Sequence, residues 1–337
     1  MAFQQILAFG LISCFLVGVL ADKNNSTSYH VEQLPNSLSK IGEAPHWDIA
    51  TQSLYMVDLT AGQLKRFDYN LNRMFKCQIE NVTSAAFVIP IEGCPDKFAV
   101  GILRQVAIVK WNGISETCKV VGNIVNVEQS DSKYDNNRFN DAKCDPRGRL
   151  FAGTQHRTEF ELRTGHVFEI VKPNATETVL SNIGIANGMA WNEKVAEFYQ
   201  IDSLDLNIKK YDYDINTGDI KNPRVIYQLN GTGIDVIPDG LTIDSEGFLY
   251  VAIKGDSAIL KIDPKNGQVV LRIDIPYKKV ASVAFGGRNL TTLFVTSAAY
   301  ESASGPTFKV TGLNATGLPV KKFRLRGKRF LNRGQCY

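Results

Sequence analysis

The chain has 337 residues, of which 44% are hydrophobic and 21% charged, close to globular averages, so wholesale disorder is excluded. The net charge is +4, but seven bases and no acid fall in residues 321–337, which leaves −3 on residues 1–320. A mildly acidic body excludes a basic groove for nucleic acid.

In chain order, the first element is a targeting segment. Ile6 to Leu20 is apolar and uncharged, and Val19 and Ala21 place small residues before Asp22. This pattern predicts a secretory signal peptide over residues 1–21, cleaved after Ala21. The run is shorter than the roughly 20 apolar residues of a membrane span, and no later stretch is long enough, so no membrane span is expected. Seven N-x-Ser/Thr sequons, at Asn24, Asn25, Asn81, Asn174, Asn230, Asn289 and Asn314, agree with export and glycosylation. Cleavage leaves five cysteines: Cys77, Cys94, Cys118, Cys144 and Cys336. A disulfide is expected within the group Cys77, Cys94 and Cys118, and the spacing does not choose the pair.

From residue 22 to 320 the chain repeats itself. A β-rich phrase recurs at Leu54-Tyr55, Phe98-Ala99, Leu150-Phe151, Phe198-Tyr199, Leu249-Tyr250 and Leu293-Phe294, with starts 44, 52, 48, 51 and 44 residues apart. That period suits four short strands per unit, and six units predict an all-β, six-bladed propeller with four-stranded antiparallel blades. Early in the chain, His30 to Leu34 alternates like a strand and is expected to close the ring against Thr307 to Val310. Residues 321–337 read as a basic, disordered tail that binds polyanions or is processed, and that can be removed without loss of stability.

A second phrase precedes each of these strands: Glu43 to Asp48, Thr83 to Phe87, Asn140 to Asp145, Asn187 to Asn192, Asp239 to Asp244 and Ala281 to Phe285. Its fifth place is Trp47, Phe87, Cys144, Trp191, Ile243 or Phe285, which predicts a buried position and makes Cys144 a packed thiol. The first place is Glu43, Thr83, Asn140, Asn187, Asp239 or Ala281. Innermost strands of a propeller converge on its axis, so these oxygen-rich side chains should meet there. Burying them is costly without a partner, and a cation is the natural one. Two carboxylates and amide oxygens are hard ligands suited to Ca²⁺, Mg²⁺ or Mn²⁺. Glu43, Asn187 and Asp239 are the expected metal ligands. Asn187-Gly188 and Pro238-Asp239-Gly240 could instead be turn dipeptides. The chain has no G-x-S-x-G or H-E-x-x-H, and none of its four histidines sits in a triad context.

At these phrases the chain resembles the regucalcin and gluconolactonase family, also called senescence marker protein-like, with its insect luciferin-regenerating branch nearest. The similar runs are Gly42 to Trp47, Arg138 to Asp141, Asp145 to Thr154, Asn187 to Trp191, Ile201 to Ser203, Pro238 to Gly240 and Ala284 to Gly287. The resemblance implies one axial divalent metal, Ca²⁺ foremost with Zn²⁺, Mg²⁺ or Mn²⁺ as alternatives, held by Glu43, Asn187 and Asp239. It implies substrate binding by Arg138 and Asn140, and hydrolysis of sugar lactones with Asp239 as the catalytic group. After Thr154 the family carries an acidic substrate contact four places on. Here that place is Thr158, and Glu159 follows as the shifted candidate. The loss predicts a less hydroxylated lactone than gluconolactone. The alternative reading is a non-catalytic extracellular propeller binding metal or a small ligand. A monomer is expected.

Overall fold

The protein is described by a computed structural model covering residues 18–21, 28–231, 233–301 and 303–326. Among these residues there are twenty-five strands, four short 3₁₀ turns and no α-helix. The alternating β-branched and aromatic runs noted above account for the strands, and the arrangement is all-β and propeller-like.

The strands form five hydrogen-bonded sheets. Three are separate four-stranded antiparallel meanders, beginning with the inner strands Asn137–Cys144, Ala186–Asn192 and Ile237–Ile243. The expectation of separate four-stranded blades throughout is corrected by an eight-stranded sheet spanning residues 42–126. There the outer strands Arg73–Ile79 and Thr117–Asn126 pair in parallel, Gln78 opposite Thr117 and Ile79 opposite Cys118. The Cys77–Cys118 disulfide lies beside that pairing and holds the two edges together. Of the candidate cysteines, the bond thus uses Cys77 and Cys118, while Cys144 is a free, buried thiol as expected.

The last sheet closes the ring. Ser28–Gln33 pairs antiparallel with Phe308–Thr311, Val31 opposite Val310, which bears out the expected closure. Gly18–Ala21 adds an edge strand beyond it. The remainder of the expected signal peptide, residues 1–17, lies outside the described residues, as does Asp22 after the cleavage point.

One feature positions the site, and a second covers the opposite end of the inner strands. First, five inner strands are bulged at the same place, while Val88–Pro90 pairs without a shift. Register shifts fall between Glu43 and His46, Phe139 and Ala142, Asn187 and Met189, Pro238 and Leu241, and Val280 and Val283. Each bulge sits at the first place of the phrase, where an extra residue re-aims a side chain away from regular alternation. The turn-dipeptide reading is therefore wrong: Asn187-Gly188 and Asp239-Gly240 lie inside strands. Their glycines answer to crowding. A Cβ on Gly188 would lie 2.4 Å from Leu241 Cβ, and one on Gly240 would lie 2.5 Å from Ser282 Cα.

Second, the C-terminal segment crosses the face formed by the turns after the inner strands. Gly317 N donates to Leu290 O, Phe323 N to Pro90 O and Arg324 N to Gly148 O. Lys322 Nζ pairs with Asp48 at 2.9 Å and Arg324 Nε with Glu92 at 2.6 Å. Phe323 is 0% exposed and joins the largest core cluster. The expected disordered tail is corrected over residues 321–326; residues 327–337 lie outside the described residues.

The core is built as the phrase implied. Trp47, Phe87, Cys144, Trp191, Ile243 and Phe285 are all buried, and Trp47 stacks on Phe294 with centroids 5.4 Å apart. A buried staple joins two neighbouring sheets: Arg149 Nε pairs with Asp145 at 2.5 Å, and Tyr213 OH donates to Asp145 Oδ2 at 2.6 Å.

Candidate metal and substrate site

The bulged starts of the inner strands bring one polar cluster together. Asp239, on Ile237–Ile243, is 2% exposed and Asn187, on Ala186–Asn192, is 4% exposed. Glu43, on Gly42–Asp48, is half-buried. Arg138 and Asn140 come from Asn137–Cys144 and are half-buried beside them.

A chain of hydrogen bonds fixes the amides. Arg138 Nη1 donates to Phe139 O and to Asn140 Oδ1, each at 2.8 Å. Asn140 Nδ2 donates to Asn187 Oδ1 at 2.8 Å and to Ala186 O at 2.9 Å. Asn187 Nδ2 donates to Ser203 Oγ at 2.7 Å, and Ser203 Oγ donates to Pro238 O at 2.6 Å. Because Ser203 engages the NH₂ end of Asn187, the amide oxygen is left facing Asn140.

The two carboxylates stand within reach of each other's charge. Burial, then the Asp239 charge, pushes Glu43 well above its ordinary range; Asp141 adds to this and Lys254 opposes it. Asp239 is also raised, by burial, with Lys254 and Arg138 opposing. Burial brings the Arg138 guanidinium down to about 10, resisted by Glu43 and Asp239. Asp141 is raised to about 6, again by burial. Asp239 Oδ2 is buried and makes no hydrogen bond; its nearest cation is Lys254 Nζ at 3.4 Å.

The structure thus brings Glu43, Asn187, Asp239, Arg138 and Asn140 into one network, in the register expected from the phrase. It does not bring Glu159 there. Glu159 and Thr158 are exposed on the turn after Leu150–His156, and their backbone N–H groups donate to His156 Nδ1 at 2.8 and 3.3 Å. Thr83 is likewise exposed, outside any strand. Two residues escaped the sequence reading. Ser203 ends the run Ile201-Asp202-Ser203, and its place directly after a strand ending in Asp202 was the available signal. Lys254 lies two residues beyond the Leu249 to Ala252 phrase, and the strand length alone would have placed it opposite Ile237.

The donor set can be tested against a cation. Among the described residues no three His, Cys, Asp or Glu side chains form a metal-holding group. The axial set instead has two carboxylates and one amide oxygen, all hard donors. The buried Asp239 Oδ2, which makes no hydrogen bond and has only the long Lys254 ion pair beside it, is the feature a divalent cation would satisfy. A separate cavity of about 50 Å³, lined by Lys143, Ala190, Thr242 and Leu318 among others, lies at the opposite end of the inner strands. It has room for a few water molecules and is not this site.

A propeller-like ring of bulged inner strands converging on an acid pair defines a class, and the comparisons place the chain within it. Residues 41–299 match the SMP-30/Gluconolactonase/LRE-like region. Regucalcin of Gallus gallus is 30% identical over 310 residues, covering 88% of this chain and 99% of that protein. The solved structure of a luciferin-regenerating enzyme superposes with a TM-score of 0.80 at 35% identity, covering 88% of this chain and 99% of that one. The structure of a calcium-binding protein, regucalcin, from Agrobacterium tumefaciens shares the fold, with a TM-score of 0.73 at 22% identity, 87% and 97% covered. The chain belongs to the SMP-30/gluconolactonase/LRE-like family.

Proposed function

We propose that this protein is a secreted, divalent-metal-dependent hydrolase of a lactone. In this reading the eight-stranded sheet counts as two blades, so the ring has six. The observation that carries the function is the buried Asp239 Oδ2, without a hydrogen bond, beside Glu43 and the amide oxygen of Asn187. Glu43, Asn187 and Asp239 would hold the ion. Ca²⁺ is the first choice, in keeping with the donors and with the calcium-binding relative; Mg²⁺, Mn²⁺ and Zn²⁺ are the alternatives.

When bound, the ion would supply Lewis-acid polarisation of the lactone carbonyl. The chain's own residues do the rest. Arg138, anchored through Nη1, orients the ester oxygens with its remaining N–H donors. Asn140 holds both Arg138 and Asn187 in place. Asp239, buried at the start of its inner strand, accepts the proton of the attacking water. The water oxygen adds to the carbonyl carbon, the ring C–O bond breaks, and the proton passes to the departing ring oxygen to give the hydroxy acid.

Export is supported by the N-terminal pattern and by the Cys77–Cys118 disulfide, which suits an oxidising compartment. The sequon asparagines Asn81, Asn174, Asn230, Asn289 and Asn314 are all exposed, as glycosylation requires. Among the described residues no helix is long and apolar enough to cross a membrane.

One observation favours the non-catalytic alternative. Thr158 and Glu159 are exposed, so the acidic substrate contact of the family pattern is missing from the cluster. A panel of lactones assayed after chelation and after metal restoration tests the choice. Turnover lost to the chelator and regained with a divalent ion is expected. Metal binding with no turnover of any lactone would overturn the hydrolase and leave the binding protein.

A further inference from the structure

We propose that Lys254 is the built-in counter-cation of the axial site and sets its affinity for the divalent ion. The inference rests on the metal-site reading above. Lys254 closes the strand Leu249–Lys254 and stands opposite Ile237, two residues from Asp239. Its Nζ lies 3.4 Å from the buried Asp239 Oδ2, the oxygen without a hydrogen bond, while its side chain remains 31% exposed.

The charges balance around it. Glu43 and Asp239 are the acid pair, and Arg138 and Lys254 are the two cations acting on them. Asp141 has a partner charge of its own in Lys143. The metal-free cluster is therefore nearly neutral, which lets two carboxylates stay close together in a poorly solvated place. Adding a dication leaves a surplus of positive charge at short range unless one cation withdraws. Arg138 is tied by two hydrogen bonds to Phe139 O and Asn140 Oδ1. Lys254 has a flexible stem, partial exposure and a single long contact, so it is the group that can swing toward the mouth. Metal binding must displace it, and every displacement weakens the apparent affinity.

Removing the ammonium should then tighten metal binding. A charge of one acting on a charge of two across a few ångströms at intermediate dielectric is ample for a change of about tenfold. Calorimetric titration of Ca²⁺ into chelator-stripped full-length protein tests this without any activity assay. Lys254→Met and Lys254→Gln are expected to bind about tenfold more tightly than the parent, Lys254→Arg close to the parent, and Glu43→Gln far more weakly. Equal or weaker binding by both neutral variants, with Glu43→Gln still impaired, overturns the role of Lys254 alone. Undiminished binding by Glu43→Gln, or no binding by any form, overturns the metal site itself.

Discussion

At the scale of single residues, the proposed metal site can be probed apart from folding. Asp239 contributes charge rather than apolar packing, and its carboxylate is raised by burial. Asp239→Asn should abolish metal-dependent turnover and lower metal affinity, yet leave the metal-free protein melting no lower than the parent. Both proteins must be compared without metal, because a ligand that binds only the folded state raises its apparent stability. Ser203 acts one step away. It is 0% exposed and holds Asn187 by one bond and Pro238 by another. Ser203→Ala leaves those groups unpaired, at a cost of about 1–3 kcal/mol, and should also weaken metal binding by freeing the amide. His46 offers a pH test. It is buried, its Nε2 has no hydrogen bond, and burial lowers it from 6.5 to about 3. Between those values the unfolded chain binds the proton that the folded chain refuses, so stability is complete above 6.5 and is lost as pH falls toward 3. The loss is at most about 1.4 kcal/mol per pH unit. His46→Phe should flatten that part of the stability profile relative to the parent, measured by denaturant unfolding at several pH values.

At the scale of elements, two connections matter that hydropathy does not advertise. The Cys77–Cys118 bond spans 41 residues, and a loop of that size corresponds to about 4 kcal/mol of chain entropy. Cys77→Ser with Cys118→Ser should lower the unfolding free energy by about 2–4 kcal/mol, read from denaturant midpoints. The segment from Gly317 to Arg326 crosses the turn face and buries Phe323 completely. Truncation after Val320 therefore removes a core side chain worth about 1.5–3 kcal/mol in burial alone, together with the Lys322–Asp48 pair. Removal of residues 328–337 spares those contacts, and thermal melting of the two truncations should separate them clearly. The Asp145 to Thr154 run belongs to this scale as well. Its Asp145 and Arg149 are a staple to Tyr213 rather than a part of the site.

At the scale of the molecule, the ring is held by pairing distant ends. Ser28–Gln33 supplies the strand on which the closing sheet depends. Its Tyr29 and Val31 sit in the core cluster of that sheet. Deletion of residues 28–33 should open the ring and abolish cooperative unfolding, whereas removal of residues before 22 should not. Closure also carries the site, since Glu43 comes from the first inner strand after the closing pair and Asp239 from the opposite half of the sequence.

Much of this was written in the order of the residues. A period near 48 set the blade-like units, the alternation of His30 to Leu34 set the closing strand, and the shared first place of the phrase named Glu43, Asn187 and Asp239. These are local signals, because a strand's alternation and a repeat's register need no knowledge of what lies across the axis. The remainder depends on distances between parts far apart in sequence. Only the folded ring decides that the Arg73–Ile79 and Thr117–Asn126 edges meet. It alone decides that Phe323 enters a core, since a basic run with one aromatic has no pattern of its own until a turn face receives it. Glu159 stays outside the cluster and Lys254 enters it for the same reason: the turn after His156 carries one acid outward, while strand pairing carries an unremarked lysine to within 3.4 Å of Asp239. Charge at an axis is a sum over every strand that reaches it, and no single stretch of sequence holds that sum.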